Sequence, residues 1–493
     1  MRNKTRLVRI ALLMLSLALV LAVFAGCKGD GGDTEQSMDG VIGTSGDDIL
    51  YDKNGYKMDS LPEMNFHSDE VNILCWNSEY SEFEVEYGNN VVDNAIFWRN
   101  ETVESRMGVT LVFEETLGSV KYCGDYKTKV LNAYNGGEYW DIIASYTRST
   151  ALCASAGLLM DLSGIKDSYL DFDEPWWSQD VIENTAVGDT FYFCTGDVST
   201  NLIQMTYCMY FNADMLKDRE LESPYSLVEK NQWTLESMLN LNKNIYSDLN
   251  ENGVADVEDR LGIVGSYYAW PAVLHGCDIP IVARDAAGGF VMDDTYKGEK
   301  AINVMTKLSD AITNNIAFVD ASIDGFRAGK AAFFITESAA GLNDLADVSF
   351  EYGCVPLPKY DSDQETYYST IRQPITLYGI MANVPESRMA EVTGTLECLS
   401  SEGYRQTTPV IFDECMKYLR ATSAEMSEML TLIRDTAWFD CARIYAQETK
   451  YVCDMPGRCL ENSETWEGYI NDKLPEVEAN IKALSAKLLG VAN

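Results

Sequence analysis

Early in the chain, short apolar runs alternate with segments of helical character. The runs at 71–76, 108–113 and 140–144 are rich in Val, Ile and Leu, as buried strands are. The segments between them, 89–107 and 122–134, carry apolar residues at helical spacing. The order strand, helix, strand, helix, strand predicts parallel βαβ units and therefore an α/β fold.

Polar and aromatic side chains follow two of these predicted strands. Trp76 and Asn77 close the first strand, and Tyr146 and Arg148 follow the third. In parallel sheets, ligands bind outside the carboxyl ends of the strands. Rings, amides and guanidinium groups can stack on a small molecule and hydrogen-bond to it. These four residues therefore predict a ligand-binding rim.

The remainder of the chain predicts a second lobe and a helical end. The chain has 493 residues, which is long for one core and suits two lobes. Strand-type runs recur at 205–211 and 331–335, and the sequence beyond residue 386 is almost entirely helical in pattern.

The N-terminus carries the pattern of an export signal. Four basic residues precede an uncharged apolar run that closes on Ala25, Gly26 and Cys27. A small pair followed by Cys resembles a bacterial lipobox, which implies a lipoprotein signal peptide at 1–26 and a diacylated Cys27. The alternative is an uncleaved anchor, since the run approaches the length that spans a bilayer. Both place the remaining chain on the extracytoplasmic face of the membrane.

The residues after the signal, 27–69, are rich in Gly, Asp and Ser and predict a flexible tether. The chain has a net charge of −38, which repels phosphate backbones and excludes nucleic acid as a partner. A hydrophobic fraction of 46% indicates a packed, globular protein.

The 13 cysteines leave 12 besides Cys27. In an exported chain they predict either disulfides or buried thiols that pack as small apolar groups. Cys453 and Cys459, on either side of Pro456 and Gly457, are the best candidates for a local bridge. No zinc, redox or nucleotide motif is evident, and the chain has two His.

One acidic loop matches the spacing of a calcium-binding loop. Oxygen-bearing residues at positions 1, 3, 5, 7, 9 and 12 of such loops surround the ion, and a Gly at position 6 makes the turn. Here Gly253 occupies position 6, and the alternative is a metal-free Asx-turn loop. The predicted ligands of a structural Ca²⁺ are Asp248, Asn250, Asn252, Val254, Asp256 and Asp259.

Aromatic residues are abundant, with 9 Trp, 28 Tyr and 17 Phe. Rings suit the apolar C–H faces of sugars, and neighbouring polar groups suit the hydroxyls. The densest clusters are 176–177, 267–270 and 438–440. For any one ring the alternative is packing in the core.

Several short segments match, in order, the motifs of one family. Residues 157–162 read GLLMDL, 326–334 read FRAGKAAFF and 353–358 read GCVPLP. With the matching segments at 139–143, 175–177, 196–197, 210–216 and 233–236, they resemble the maltodextrin-binding-like solute-binding proteins of bacterial ABC sugar importers.

The resemblance implies an α/β, two-lobed, periplasmic-binding-protein-like clamshell with hinge strands and a helical C-terminal region. We expect lobe one at 70–165 and 316–382, and lobe two at 166–315 and 383–493. The resemblance places Trp76, Asn77, Tyr146, Arg148, Tyr207 and Trp438 at the ligand. Trp270 is added to these candidate ligand-binding residues because it lies in the aromatic segment 267–270, and not because of the resemblance.

The function implied is that of a monomeric binding protein, not an enzyme. It would capture a carbohydrate, an oligosaccharide in particular, and deliver it to an ABC transporter permease. The alternatives are a surface glycoside hydrolase, which needs two carboxylates facing each other across a sugar, and a clamshell sugar sensor or adhesin.

Overall fold

The computed structural model describes residues 50–78, 80–319 and 323–490. The predicted signal, Cys27 and most of the predicted tether lie outside these ranges. The chain forms two units, 1–55 and 56–493, and the fold below is that of the second. No helix in the described ranges is long and apolar enough to cross a membrane.

Strands and helices alternate through the first half of the described chain, and helices dominate its end. The strands are β1 (Asp69–Trp76), β2 (Val109–Thr116), β3 (Ile142–Tyr146), β4 (Tyr207–Asn212), β5 (Leu261–Gly265), β6 (Val282–Arg284), β7 (Phe290–Met292), β8 (Ala317–Val319), β9 (Ala331–Glu337), β10 (Tyr352–Val355), β11 (Ser369–Thr370), β12 (Thr376–Ile380) and β13 (Ala437–Trp438).

The α-helices are α1 (Val91–Met107), α2 (Cys123–Gly136), α3 (Thr147–Ser155), α4 (Gln179–Thr185), α5 (Thr200–Gln204), α6 (Ala213–Asp218), α7 (Pro224–Glu229), α8 (Leu235–Asn242), α9 (Trp270–Gly276), α10 (Asp294–Lys297), α11 (Glu299–Thr313), α12 (Asp324–Arg327), α13 (Ala340–Asn343), α14 (Met389–Glu402), α15 (Ala424–Asp435), α16 (Cys441–Ile444), α17 (Met455–Glu461) and α18 (Trp466–Leu488). Short 3₁₀ turns lie at Val120–Tyr122, Leu162–Gly164, Glu386–Arg388 and Val452–Asp454, and π-helical segments at Gly403–Thr407 and Pro409–Arg420.

The first sheet has the strand order β12-β3-β1-β2. β1 lies parallel to both β2 and β3, and β12 runs antiparallel to β3. Helices α1 and α2 connect the three parallel strands, so the predicted βαβ units are present. Asn90 caps α1 by accepting from the Asp93 N–H, and Gly108 ends it at φ 64°.

The second sheet has the strand order β10-β4-β9-β5-β8. Its central strand pairs antiparallel with β4 and parallel with β5. Both faces of this sheet are buried. Met209 and Phe211 of β4 face one apolar cluster, and Cys208 and Tyr210 of the same strand face another. The period-2 alternation of a strand explains why consecutive residues enter different clusters.

Part of the chain predicted for lobe one joins the second sheet instead. The prediction assigned 316–382 to lobe one, but β8, β9 and β10 pair with β5 and β4. Only β12 of that range belongs to the first sheet. Pairing partners are set by long-range contacts, which periodicity along the chain does not specify.

Two chain segments connect the sheets side by side. Cys194 and Tyr378 exchange two backbone hydrogen bonds of 2.9 and 2.8 Å, and Thr206 forms an antiparallel bridge with Ile371. The segments 194–207 and 371–378 therefore pass from one sheet to the other side by side, joined by an antiparallel bridge near each end, with α5 between the two bridges in the first segment. They are the candidates for the predicted hinge.

The N-terminal edge of the second unit is fixed to the fold. Asp59 accepts hydrogen bonds from Arg106 at 2.6 Å and from Ser401 at 2.6 Å, and it lies 3.3 Å from Arg405. The Phe66 N–H donates to the Met107 carbonyl at 3.0 Å. The end of the predicted tether, 27–69, is therefore bound from Asp59 onward, because its carboxylate neutralises two arginines.

The predicted bridge between Cys453 and Cys459 is wrong. Both thiols are free, as are the other ten cysteines in the described ranges, and all twelve are buried. The Cys453 thiol donates to the Asp454 carboxylate and accepts from the Gln373 side chain, whereas the Cys459 thiol donates to the Glu464 carbonyl at 3.0 Å. The helix α17 begins between the two residues and directs their side chains to different neighbours.

Candidate ligand-binding site

Aromatic and polar residues gather where the strands of both sheets end. Trp76 ends β1 and Tyr146 ends β3, while Gly265 ends β5 and Glu337 ends β9. Tyr207, at the start of antiparallel β4, is paired with Glu337. This is the edge at which α/β sheets bind ligands.

Trp76 and Tyr146 form an aromatic pair at the first sheet. Their ring centroids are 5.5 Å apart, and the Trp76 indole N–H donates to the Thr376 hydroxyl at 2.8 Å. Asn77 lies beside them, and its side-chain oxygen accepts from the Gly118 N–H at 3.1 Å. Trp76 is 1% exposed and Tyr146 5%, so the pair is enclosed.

Arg148 lies in the first turn of α3 and is 5% exposed. Its Nη2 is 3.7 Å from Asp454 Oδ2. The guanidinium carbon is 5.3 Å from the ring centroid of Tyr451, which is a cation–π distance. Tyr451 and Lys450 both adopt positive φ, of 58° and 57°, a conformation that non-glycine residues rarely take and that concentrates at functional sites.

Tyr207 and Arg443 extend the cluster to the second sheet. The Tyr207 hydroxyl donates to the Tyr268 carbonyl at 3.2 Å, and burial raises its pKa. The Arg443 guanidinium, 1% exposed, lies 5.7 Å from the Tyr207 ring. Its Nη2 donates to Gln373 Oε1 at 3.3 Å.

Gln373 and Asp454 tie these groups together. The Gln373 carbonyl accepts from Thr147 at 2.8 Å, next to Arg148. Burial and the Asp454 carboxylate raise the pKa of the Cys453 thiol, whereas Arg148 and Arg443 both oppose this. Gln373 contacts Arg443 directly, accepts from the residue before Arg148, and donates to the Cys453 thiol beside Asp454, so both guanidinium groups lie around this one side chain. We define the site cluster as Tyr146, Arg148, Tyr207, Gln373, Arg443, Tyr451 and Asp454.

The remaining predicted tryptophans lie differently. Trp270 is fully buried, and its indole N–H donates to the Gly265 carbonyl at 2.9 Å. Trp438 is half-buried and packs edge-on against His275, with ring centroids 5.1 Å apart. Burial and Arg443 lower the pKa of His275 well below its ordinary value, so this ring is neutral. Trp438 thus borders the cluster through His275, whereas Trp270 packs in the core.

The pair Trp176 and Trp177 also belongs to the core. Both indoles donate to the Glu397 carboxylate, at 2.8 and 2.9 Å, and both rings are buried. Tyr267 and Tyr268, in contrast, pack ring on ring at 3.8 Å, and Tyr268 is 40% exposed. They are the more accessible aromatic surface beside the cluster.

Four residues of the cluster were not predicted from the sequence: Gln373, and also Arg443, Tyr451 and Asp454. The last three follow the aromatic run at 438–440, within the region of helical pattern. A basic or acidic residue in such a region is usually an exposed one. Arg443 and Asp454 are buried, which the sequence does not show, and only this burial separates them from surface residues.

Open surface cavities occur elsewhere and do not border the cluster. One of about 690 Å³ lies beside β10 and α6, one of about 500 Å³ beside α2 and one of about 510 Å³ near Tyr360. None collects buried charged groups. We assign the site by its chemistry, because Arg148, Tyr207 and Arg443 are buried groups of the cluster that can bind a polar ligand.

The predicted calcium loop folds around its acidic side chains. Asp248 Oδ2 accepts from the Gly253 N–H at 2.8 Å, and Asn252 Nδ2 donates to Asp256 at 2.8 Å. Asp259 is buried and accepts from two backbone N–H groups. In the ranges described, no group of three or more His, Cys, Asp or Glu side chains is arranged to hold a metal ion, so Ca²⁺ would need the Asn and carbonyl oxygens as well.

Solved structures share this fold over most of their length. An ABC substrate-binding protein from Listeria monocytogenes in complex with cycloalternan has a TM-score of 0.53 and 12% identity, covering 86% of this chain and 100% of its own. A cyclo/maltodextrin-binding protein complexed with maltotetraose has a TM-score of 0.55 and 12% identity, with 84% and 98% covered. The GacH receptor of Streptomyces glaucescens has a TM-score of 0.52 and 16% identity, with 86% and 100% covered. These values show a common fold, the predicted two-lobed one.

The sequence itself matches a family of binding proteins. A comparison with curated proteins finds no match. The profile of a family described as bacterial extracellular solute-binding protein matches residues 107–392, more than half of the chain. This confirms the prediction of a binding protein and not an enzyme: the chain belongs to the bacterial extracellular solute-binding protein family.

Proposed function

We propose that this protein captures a carbohydrate, an oligosaccharide in particular, between its two sheets and delivers it to an ABC transporter permease. The observation that carries the proposal is the site cluster. It combines aromatic rings with buried hydrogen-bonding groups at the carboxyl edges of both sheets. Three proteins of the same fold were solved with cycloalternan, maltotetraose and acarbose, which supports a sugar as the ligand.

The proposed mechanism needs binding and closure only. Tyr146, Tyr207 and Tyr451 offer ring faces, while Arg148 and Arg443 offer N–H donors. A ligand that contacts both sheets stabilises the closed arrangement more than the open one, and this differential contact shifts the population. The crossing segments 194–207 and 371–378 would absorb the motion. The protein acts as a monomer in this proposal.

The test is a thermal-unfolding screen of the full chain against oligosaccharides. A ligand at 100 times its dissociation constant adds about 2.7 kcal/mol to the free energy of unfolding. We expect Tyr451→Ala to remove the shift, while Tyr418→Ala, at a side chain 84% exposed, keeps it. Saccharides that leave the unfolding curve of the wild type unchanged would overturn the proposal. Release of reducing ends would instead support the hydrolase alternative.

We also propose that Cys27 carries a lipid that holds the protein at the extracytoplasmic face of the membrane. Support comes from the lipobox-like sequence at Cys27 and from the extracellular family. Expressed in a bacterium, the wild type should take up labelled palmitate and sediment with membranes. Cys27→Ser should lose the label, whereas Cys75→Ser, at a buried thiol, should keep it. Label on the Cys27→Ser variant would contradict the assignment.

A structural Ca²⁺ in the loop 248–259 is a third proposal. Asp248 Oδ1 is buried without a hydrogen-bond partner in the described structure, and an oxygen in that state favours a cation. Millimolar CaCl₂ should raise the unfolding temperature of the wild type and of Glu251→Ala, a loop variant outside the ligand set. Asp259→Ala should show no such rise. A wild type indifferent to Ca²⁺ would contradict the site.

A further inference from the structure

We propose that the ligand carries an anionic group, the carboxylate of an acidic sugar such as a uronic acid, and that Arg443 and Arg148 bind it. This inference rests on the proposed function and names the class of sugar. It follows from two buried guanidinium groups that converge on one region and have donors without acceptors.

The arginines are buried and incompletely bonded. Arg443 is 1% exposed and Arg148 5%. Arg443 Nε and Nη1 and Arg148 Nε have no hydrogen-bond partner in the described structure. A buried cation without partners is strongly destabilising, because its lost hydration is not replaced. These N–H groups therefore point to an acceptor supplied from outside the chain.

Neighbouring carboxylates do not supply that acceptor to Arg443. Asp454 is occupied with Arg148 at 3.7 Å and with the Cys453 thiol at 3.5 Å. Asp440 accepts from the backbone N–H groups of Ile281 and Ala442, at 2.6 and 2.8 Å. No ion pair within 4 Å joins Arg443 to an acid in the described ranges, and its one acceptor is Gln373 at 3.3 Å.

The missing partner has a defined chemistry. The unsatisfied side-chain atoms of these two arginines are all hydrogen-bond donors. An acceptor such as a carboxylate can bind them and, unlike a hydroxyl, has no hydrogen of its own that would need a further acceptor. A carboxylate offers two such oxygens in the spacing of a guanidinium fork. Sulfate and phosphate esters share the chemistry. The chain carries a net charge of −38, which repels anions at long range. The local charges of the two arginines therefore have to outweigh this repulsion at the site.

Aromatic groups around the arginines suit the rest of a sugar. The Arg148 guanidinium lies over the Tyr451 ring and that of Arg443 over the Tyr207 ring, at cation–π distances of 5.3 and 5.7 Å. Tyr267 and Tyr268 lie next to Tyr207 through the Tyr207 hydrogen bond. A sugar ring can pack on these faces while its carboxylate reaches the two arginines.

The experiment compares three probes by calorimetry on the full chain: trigalacturonate, a sulfated trisaccharide and neutral maltotetraose. We expect an acidic probe to bind about 10- to 100-fold more tightly than the neutral one, which is the usual weight of a charged hydrogen-bonded pair. Its affinity should fall with added NaCl. The ratio between the carboxylated and sulfated probes distinguishes the two sources of the anion, and a preference for the sulfated probe overturns the carboxylate assignment.

Arg443→Gln tests the residue. This variant should lose about 10- to 100-fold in affinity for the acidic probe and clearly less for the neutral one, because Gln keeps N–H donors but loses the charge. Arg219→Gln, at an arginine that donates to the Asn244 carbonyl on the surface, is the matched control and should bind as the wild type does. If Arg443→Gln does not fold, Arg148→Gln and the charge preference of the wild type decide the question.

The outcomes separate the two proposals. A neutral sugar that binds the wild type as tightly as the acidic ones overturns the anion inference alone. Equal losses for both kinds of sugar in Arg443→Gln do the same. If no saccharide of any kind binds the folded wild type, the proposed function fails, and the inference fails with it.

Discussion

At the scale of single residues, Glu82 is a buried carboxyl held between the two sheets. It accepts hydrogen bonds from Thr376 at 2.6 Å, Tyr378 at 3.0 Å and Asn201 at 3.0 Å. Burial raises its pKa to about 7, although the hydrogen bonds from Thr376 and Tyr378 and the charge of Arg99 oppose the rise. The folded protein therefore binds a proton at Glu82 more tightly than the unfolded chain does.

The pH dependence of Glu82 has a definite sign. Because its folded pKa is raised, the contribution of the protonated form is fully present below pH 4.5 and is lost as the pH rises through about 7. Glu82→Gln, which cannot ionise, should match the wild type near pH 4 and exceed it by roughly 3 kcal/mol at pH 8. Urea unfolding at both pH values measures this.

The control for Glu82 is Glu63→Gln, at an exposed glutamate. It should leave the free energy of unfolding near that of the wild type at both pH values. A Glu82→Gln effect that is equal at pH 4 and pH 8 would show that packing, and not ionisation, dominates at this position.

At the scale of helices and strands, α17 approaches the segment before α9 with no side chain between them. A Cβ added at Gly457 would lie 1.7 Å from the Tyr267 carbonyl oxygen. Because that neighbour is backbone, it cannot rotate away. Gly457→Ala should therefore lower the free energy of unfolding by about 3 kcal/mol or more, and thermal unfolding measures the loss.

A helical glycine with free space provides the matched comparison. Nothing lies within 4 Å of a Cβ added at Gly136, in the last turn of α2. Gly136→Ala should be neutral or stabilise by up to about 1 kcal/mol, because alanine favours the helix. Equal effects of the two substitutions would contradict the close approach at Gly457.

At the scale of the whole molecule, the folded unit extends further toward the N-terminus than its composition indicates. A chain that begins at residue 56 keeps Asp59, which neutralises Arg106 and Arg405, whereas one that begins at residue 70 does not. Glu402 also contacts both arginines, so the loss is partial. We expect the shorter chain to be less stable by about 2 kcal/mol, as measured by urea unfolding.

The control for this truncation is Asp59→Asn in the longer chain. It should reproduce most of the loss, since it removes the charge and keeps the backbone contacts. Equal stability of the chains that begin at 56 and at 70 would support the prediction that the whole segment 27–69 is a tether.

Local patterns predicted the first sheet, and they failed where distant segments meet. The apolar runs that end near Trp76 and Tyr146 correctly predicted parallel strands with polar residues at their ends, because strand period and helix spacing are local properties of the sequence. The pairing of β9 with β4 and the burial of Arg443 and Asp454 arise from contacts between distant parts of the chain. The sequence alone does not show them, and four of the seven residues of the site cluster were therefore missed.

Twelve cysteines of the described ranges are buried as thiols. A protein built in this way needs no oxidant to mature, so its folding is independent of oxygen and of disulfide-forming enzymes. Dithiothreitol should leave its unfolding temperature unchanged, and a fall of several degrees would reveal a disulfide. We therefore expect the protein to fold in a reducing cytoplasm as well as in an oxidising compartment.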